Sequence, residues 1–520
     1  MKKISFILSL SLIPILVWQV NAEQVWEIST DAQWTKNASK AENLDFKGGL
    51  ATPLSEQVVF TSVMKKFAEK KTIQPIVVEQ SSSWLNWTKV PNVGPKNGQD
   101  APVFLSLKDK EYWMFARYGG GAVNKMAVAI LRLEENVYMR KMSREEGDQK
   151  IAALRAKGNE KNGQKGGRIA AKDANQTNGS GGEELGLGGY HAWHSTDMQK
   201  WVHHGPVSDY KSRWMTTAEY KDGKFYLYYD NPNDQDPHLI IDSDLTDGKV
   251  GNDIGLVFAD PSNGSDNAVI RGADGKFHFI YEDWSPLNAR EQAWDSPLAG
   301  HAISDDGIND WKILPPALDL RTKPTGKVLE YKHPHQFPAM LKYNEHLPKQ
   351  DAFGDWASIL IGERYYLFAD YDPASNKKGS KGMSVAWFTS ESLDQPFTLC
   401  GNIGRGHPDP DITFAEGKFY LITQFNEDFT SPGPWVDGVQ GRAGVDTNND
   451  GKIDQWTEWQ SIKESYDHKP GYAKHVVKTP AVIDTKGLPK GFGFQFEIKI
   501  DAPLGATAKP VLDKVTVRFE

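Results

Sequence analysis

The feature that most constrains this chain is a unit that recurs five times. Each copy has an acidic residue, a short apolar strand, a turn containing Gly or Asp, and an aromatic-rich strand. The first copy reads Asp100-Ala-Pro-Val-Phe104, then Lys108-Asp-Lys-Glu-Tyr-Trp-Met-Phe115. The second reads Trp214-Met-Thr-Thr-Ala-Glu-Tyr220, then Lys221-Asp-Gly-Lys-Phe-Tyr-Leu-Tyr-Tyr229. The third reads Asp266-Asn-Ala-Val-Ile270, then Ala273-Asp-Gly-Lys-Phe-His-Phe-Ile-Tyr281. The fourth reads Asp355-Trp-Ala-Ser-Ile-Leu360, then Gly362-Glu-Arg-Tyr-Tyr-Leu-Phe368. The fifth reads Asp409-Pro-Asp-Ile-Thr-Phe414, then Ala415-Glu-Gly-Lys-Phe-Tyr-Leu-Ile422.

Asp-Gly between β-branched or aromatic runs is a hairpin signal, because Gly supplies the positive φ that a tight turn needs. A second cue follows in several copies: Ser195-Thr-Asp before Trp201, Ser304-Asp-Asp before Trp311, and a looser Ser390-Glu-Ser before Phe397. Short, regularly repeated strands without a long amphipathic helix predict an all-β chain. The repeat predicts a five-bladed β-propeller rather than a sandwich. Inner strands of a propeller start at one axis, so Asp100, Asp266, Asp355 and Asp409 are expected to converge.

The organisation follows from the repeat. Residues 1–22 read as a signal peptide: Lys2 and Lys3, an apolar run from Ile4 to Val20, then Val20-Asn-Ala22 as a small-x-small cleavage site. A periplasmic or secreted protein without stable membrane insertion is expected. Residues 23–95 form an N-terminal extension, with a short helix expected over Glu56–Lys71 and a role under the propeller or in a dimer. The propeller spans 96–430, with 133–189 inserted in its first blade. There Arg140–Lys165 is charged and partly helical in character, and Asn175–Gly189 is Gly-rich. From 431 to 520 a C-terminal β module is expected, because Gly491–Ile500 and Pro510–Phe519 alternate with period two.

Without Lys2 and Lys3 the 60 basic residues become 58 against 68 acidic ones, a net charge near -10. That argues against nucleic acid, which selects basic faces. Cys400 is the only cysteine, so neither an intramolecular disulfide nor a Cys-based zinc site is available. Seventeen Trp, 18 Tyr and 23 Phe supply core and also flat faces on which sugar rings can pack.

Asp446-Thr-Asn-Asn-Asp-Gly-Lys-Ile-Asp454 is the sharpest local motif. Oxygen side chains at positions 1, 3, 5 and 9 and Gly at 6 suit a hard cation. The ligand set is Asp446, Asn448, Asp450, Lys452 at position 7 and Asp454, and structural calcium is expected. Position 12 is Thr457, so the loop is not a complete EF-hand loop.

In their joint order, these motifs resemble the five-bladed propeller glycosidases of glycoside hydrolase family 43 and the related family 117, over roughly residues 96–430. Asp100-Ala-Pro-Val-Phe with Tyr112-Trp-Met-Phe is similar to their first-blade segment, and Asp266-Asn-Ala-Val-Ile with Asp274-Gly-Lys-Phe to their third. The resemblance departs at Thr217-Ala-Glu219 in the second blade. It departs again in the fourth, where Val328-Leu-Glu-Tyr-Lys-His-Pro-His335 stands in place of the family-43 acid motif. The resemblance implies an inverting hydrolase with Asp100 as general base and Asp266 raising and orienting the acid. Glu330 is the first choice of acid and His335 or His333 the alternative, the histidines tilting toward family 117 and an algal galactan.

Substrate contacts are expected from Arg117, Trp214, Glu219, His194, His333 and Trp284, with Trp113 and Trp356 as further aromatic candidates, Trp113 reading first as core. Asp355 and Asp409 read first as structural, and Glu282 ranks low. An exo-acting glycosidase on an oligosaccharide or polysaccharide is the leading reading. A non-catalytic glycan-binding propeller of an uptake system is the alternative, and a polysaccharide lyase has no specific sign.

Overall fold

The computed structural model describes residues 24–80, 84, 87–95, 98–118, 129, 133, 137, 142–165, 189–208, 214–231, 237–259, 265–283, 295, 299–314, 351–406, 408–424, 427–431, 433, 438–501 and 510–520. The side chains of residues 98–100 lie outside this description. Each sequence repeat becomes the first two strands of an antiparallel four-stranded unit, extended in the fourth by His475–Thr479, parallel to its first strand, and Ser465–His468.

Sheet I comprises Gly98–Lys108, Glu111–Tyr118, Tyr190–Ser195 and Trp201–Pro206. Sheet II comprises Trp214–Lys221, Lys224–Asp230, Pro237–Asp242 and Asn252–Leu256. Sheet III comprises Ser265–Arg271, Phe277–Glu282, Ala299–Ser304 and Lys312–Leu314. Sheet IV comprises Ala352–Ile361, Arg364–Asp372, Ser384–Ser390 and Thr398–Ile403. Sheet V comprises Asp411–Ala415, Lys418–Ile422 and Asp428–Ser431, with Thr88–Val90 from upstream as its fourth strand.

The turns follow from the residues. Asp222-Gly223 and Glu416-Gly417 have positive φ at both central positions, the primed geometry that matches the strand twist. The Ser-x-Asp cue is a turn-closing device between the third and fourth strands. Asp197 Oδ1 accepts the amides of Gln199 and Lys200, and Asp306 Oδ1 those of Ile308 and Asn309.

The five first strands touch their neighbours in the cyclic order I–II–III–IV–V–I. One aromatic-rich core fills each junction. Trp113, Met215 and Phe225 lie between I and II, and Tyr228, Phe277 and Phe279 between II and III. Ile280, Phe353 and Trp356 lie between III and IV, Trp84, Phe368, Trp387 and Phe414 between IV and V, and Phe104, Trp193 and Ile422 between V and I. A buried side chain of this size contributes about 2–3 kcal/mol, so each interface is held mainly by apolar burial.

The two chain ends are interleaved. Gln24–Ile28, Leu44–Lys47, Leu50–Pro53 and Ile76–Gln80 share a sheet with Ala481–Ile483 and Leu512–Phe519. Ala38–Lys40, Gln57–Ser62 and Lys65–Lys71 share another with Val439–Asp446, Gln455–Trp456, Gln460–Ser461 and Gly491–Asp501. Both sheets contribute to one apolar core that runs from Trp26 to Phe519. The extension and the C-terminal module are therefore parts of one unit rather than two. The expected helix over Glu56–Lys71 is two strands instead. Val58, Val59 and Phe60 favour extended backbone, and Phe60 is buried beneath Trp34. In the insertion, Arg144–Lys165 is helical, in keeping with its charge pattern.

Candidate active site

Four of the five first strands have, close to their start, a residue in the left-handed region: Ala101 (φ +42°), Asp266 (+46°), Asp355 (+48°) and Asp409 (+41°). Asp tolerates this conformation through its short polar side chain, whereas Ala pays about 1–2 kcal/mol for it. Sheet I carries one extra residue here: counted back from Val103, Ala101 matches the three aspartates, and counted forward from Gln99, the partner of Arg117, Asp100 matches Asp266 and Asp355. The ladders slip across these residues, between Gln99 and Val103 in sheet I, Ser265 and Ala268 in sheet III, and Gly354 and Ala357 in sheet IV. Strain of this kind concentrates at functional sites.

A second layer comes from residues at or near the ends of the second strands. Arg117 pairs with Gln99, Asp230 with Trp214, Glu282 with Ser265 and Asp370 with Gly354. These side chains are buried, and they reach forward to the next sheet. Asp230 Oδ2 accepts the amide of Asp266 at 3.3 Å, and Asp370 Oδ1 accepts that of Asp409 at 3.0 Å. Glu282 and Asp295 press on Gly354, where any Cβ would overlap both carboxylates. Asp230, Asp266, Glu282, Asp295, Asp355, Asp370 and Asp409 thus line one end of the first-strand ring.

Asp355 is the focus of this ring. Its carboxylate and those of Asp295 and Asp370 offer oxygens all within 4.8 Å of one another. Burial, then the charges of Asp409, Asp266, Asp370 and Asp295, pushes the Asp355 carboxyl well above the usual carboxylate range. Such a trio has two chemical options: to keep a proton on one member, or to share a hard cation.

The expected site residues divide. Asp266 joins the ring, while Asp100 is described only as backbone of its strand, one residue before Ala101. Arg117 lies at the equivalent end of sheet I, its guanidinium 4.6 Å from the centre of the Trp214 ring. Glu330, His333, His335 and Trp284 lie outside the described residues. Glu219 is not a substrate contact: it is fully buried toward the other end of its strand, where Oε1 accepts the amides of Tyr220 and Ala473. His194 packs on Trp113 at 4.8 Å, four strand positions before Arg117 in the register, and does not join the ring. Trp356 and Trp113 are buried between sheets, so neither is a stacking platform. His301 forms a buried pair with His278 at 3.0 Å, matched by His191 with His203 at 2.9 Å.

Sequence reasoning missed Asp230, Asp295 and Asp370 and undervalued Glu282 and Asp355. The signal was present: Tyr-Tyr-Asp230, Ile-Tyr-Glu282 and Phe-Ala-Asp370 each place an acid at the same repeat position, at or near the end of an aromatic strand.

The loop 446–454 is closed on itself. Asp446 accepts the amides of Asn448, Asn449 and Gly451, and Asn448 Nδ2 donates to Asp450 and Asp454. Asn449 and Gly451 have φ of +65° and +84°. Its side-chain oxygens accept the loop's own amides, and among the described residues Asp446, Asp450 and Asp454 do not form a close acidic cluster like that of Asp295, Asp355 and Asp370.

No protein-family model and no curated protein matches the chain. Among solved structures it is similar to the GH43_1 enzyme from Xanthomonas citri, at 12% identity, with 71% of this chain and 93% of that chain covered and a TM-score of 0.35. An α-L-arabinofuranosidase from Clostridium thermocellum is 12% identical, with 72% and 95% covered and a TM-score of 0.33. A glycoside hydrolase family 43 arabinoxylan arabinofuranohydrolase from Bacillus subtilis is 10% identical, with 82% and 97% covered and a TM-score of 0.36.

Proposed function

We propose that the chain is a five-bladed β-propeller glycoside hydrolase working at the carboxylate ring, with Asp355 as the proton donor. The observation that carries this reading is the Asp295–Asp355–Asp370 trio, whose oxygens lie within 4.8 Å of one another. Carboxylates this close cannot all ionise, and a retained proton beside ionised neighbours is what cleavage of an acetal needs.

In the proposed reaction Asp355 protonates the glycosidic oxygen as the C–O bond breaks. A water attacks the anomeric carbon from the opposite face and gives its proton to Asp100, so configuration inverts. Asp266 holds negative charge near the acid. Asp355 replaces Glu330 as the preferred acid because described geometry supports it. The substrate is an oligosaccharide or polysaccharide attacked from its end, and Arg117 beside Trp214 is placed to meet an anionic or ring substituent. An algal galactan is the first substrate to try, with arabinoxylan fragments as the comparison. The test is hydrolysis by wild type, Asp355→Asn and Asp266→Asn. Wild-type turnover that both variants lose supports the assignment, and full turnover by Asp355→Asn overturns it.

The same 4.8 Å trio favours one second reading, a shared divalent cation. A chelator that lowers wild-type stability but not that of Asp370→Asn would establish it. Export after cleavage near Ala22 and structural calcium in the 446–454 loop complete the proposal. Calcium is expected to raise the melting temperature of wild type and to leave Asp450→Ala unchanged, as followed by differential scanning fluorimetry.

A further inference from the structure

Residues 468–476 connect the two strands that extend sheet IV, Ser465–His468 and His475–Thr479, and meet the first strand of every sheet in the ring. His468 Nε2 lies 2.6 Å from Ser106 Oγ and 3.0 Å from the Phe414 carbonyl. Arg271 donates to the Gly471 carbonyl at 2.7 Å and stacks on Tyr472. The Ala473 amide donates to Glu219, and the Leu360 and Gly362 amides donate to the carbonyls of Lys474 and Val476. Ser106, Arg271, Leu360 and Phe414 each stand five residues beyond Ala101, Asp266, Asp355 and Asp409. Five residues of strand are roughly 16 Å, so the segment lies at the opposite end of the ring from the carboxylates.

Lys474 reaches further in. Its ammonium is buried, 3.4 Å from Asp411 Oδ1 and 3.5 Å from Thr217 Oγ1. Asp411 ties two strands together: Oδ2 accepts the Phe104 amide at 2.6 Å and Oδ1 its neighbour Ile412 at 2.8 Å. Phe104 is four residues after Asp100 on one strand, and Asp411 is two after Asp409 on the other.

We infer that residues 468–476 are an axial plug and that Lys474 is a positioning residue: by holding Asp411 as an ion it fixes the strands that carry Asp100 and Asp409. The inference deepens the hydrolase reading and rests on it for its catalytic consequence. Burial drives Asp411 toward its neutral form, and the Lys474 cation opposes this. Without that cation Asp411 takes up a proton, and the charge-assisted bond to Phe104 becomes an ordinary one.

The test is hydrogen exchange by mass spectrometry on the full chain, comparing wild type with Lys474→Met, Lys474→Arg and the double variant Asp411→Asn/Lys474→Met. Lys474→Met is expected to exchange about tenfold faster in peptides covering 98–108 and 408–415, the difference between a hydrogen bond to a charged group and an ordinary one. Peptides covering 265–271 should stay as in wild type, and Lys474→Arg should restore protection. The double variant keeps an acceptor for Phe104 without a buried lone charge, so it should fold and be protected even if Lys474→Met does not fold. On a hydrolysed substrate, Lys474→Met should lose kcat with KM unchanged. Unchanged exchange in Lys474→Met, equal loosening of all five first strands, or an unprotected double variant overturns the inference. Exchange needs no substrate, so faster exchange in a protein that hydrolyses nothing leaves the plug standing and removes the hydrolase reading.

Discussion

Replacing Asp355 by Asn is expected to stabilise the protein while abolishing its activity. The trio of Asp295, Asp355 and Asp370 brings oxygens within 4.8 Å of one another. At an effective dielectric of about 20, two unit charges at that distance repel by about 3.5 kcal/mol. Asp355 faces Asp409 and Asp266 as well. A retained proton relieves most of this repulsion, so the amide recovers only the remainder, about 1–2 kcal/mol, which is the usual gain when a strained active-site group is neutralised. The pH dependence has a defined sign. A carboxyl raised in the folded state contributes stability that is present at acid pH and lost as pH rises through its raised value. The advantage of Asp355→Asn over wild type should therefore be larger at pH 8 than at pH 5. Scanning calorimetry at the two pH values measures it. If Asp355→Asn is less stable than wild type, and a chelator destabilises wild type equally, the trio holds a cation and the proton-sharing argument fails.

Two further perturbations test the surroundings. Gly354→Ala inserts a Cβ against the Glu282 and Asp295 carboxylates and should cost about 1–3 kcal/mol with loss of activity; wild-type behaviour in denaturant titration would contradict the packing described. Burial holds His191 and His301 down to about 3, so both are neutral in the fold and take up protons only on unfolding as pH falls below about 6.5. Each should then cost about 1.4 kcal/mol at pH 5.5 relative to neutrality. The stability difference between wild type and His191→Asn should shrink from pH 7.5 to pH 5.5, and an unchanged difference would show that the pair is already charged.

The repeat made the opening hairpin of each of the five sheets legible, because period-two apolar runs and Asp-Gly turns are local properties. Asp266 was legible for the same reason. Asp230, Glu282 and Asp370 were harder to see, because a terminal acid on an aromatic strand looks like an ordinary strand end until its reach into the next sheet is known. At Asp100 the first strand carries one extra residue, which a period-two pattern does not register, so Asp100 and Ala101 share the position that one aspartate fills in sheets III and IV. The interleaving of 24–80 with 439–519 was hidden, because pairing between chain ends more than 400 residues apart leaves no local pattern. Glu219 failed as a substrate contact for a related reason. Period two places it on a strand but cannot say that Ala473 will meet it there.

The most direct test of the central claim is the product of a hydrolysis screen over agar, carrageenan, porphyran and arabinoxylan oligosaccharides, with the anomer read by NMR in the first minutes. The account predicts release of a sugar of inverted configuration by wild type and none by Asp355→Asn. Binding of the same oligosaccharides with no product from wild type would contradict it, and would make the ring a glycan-binding site.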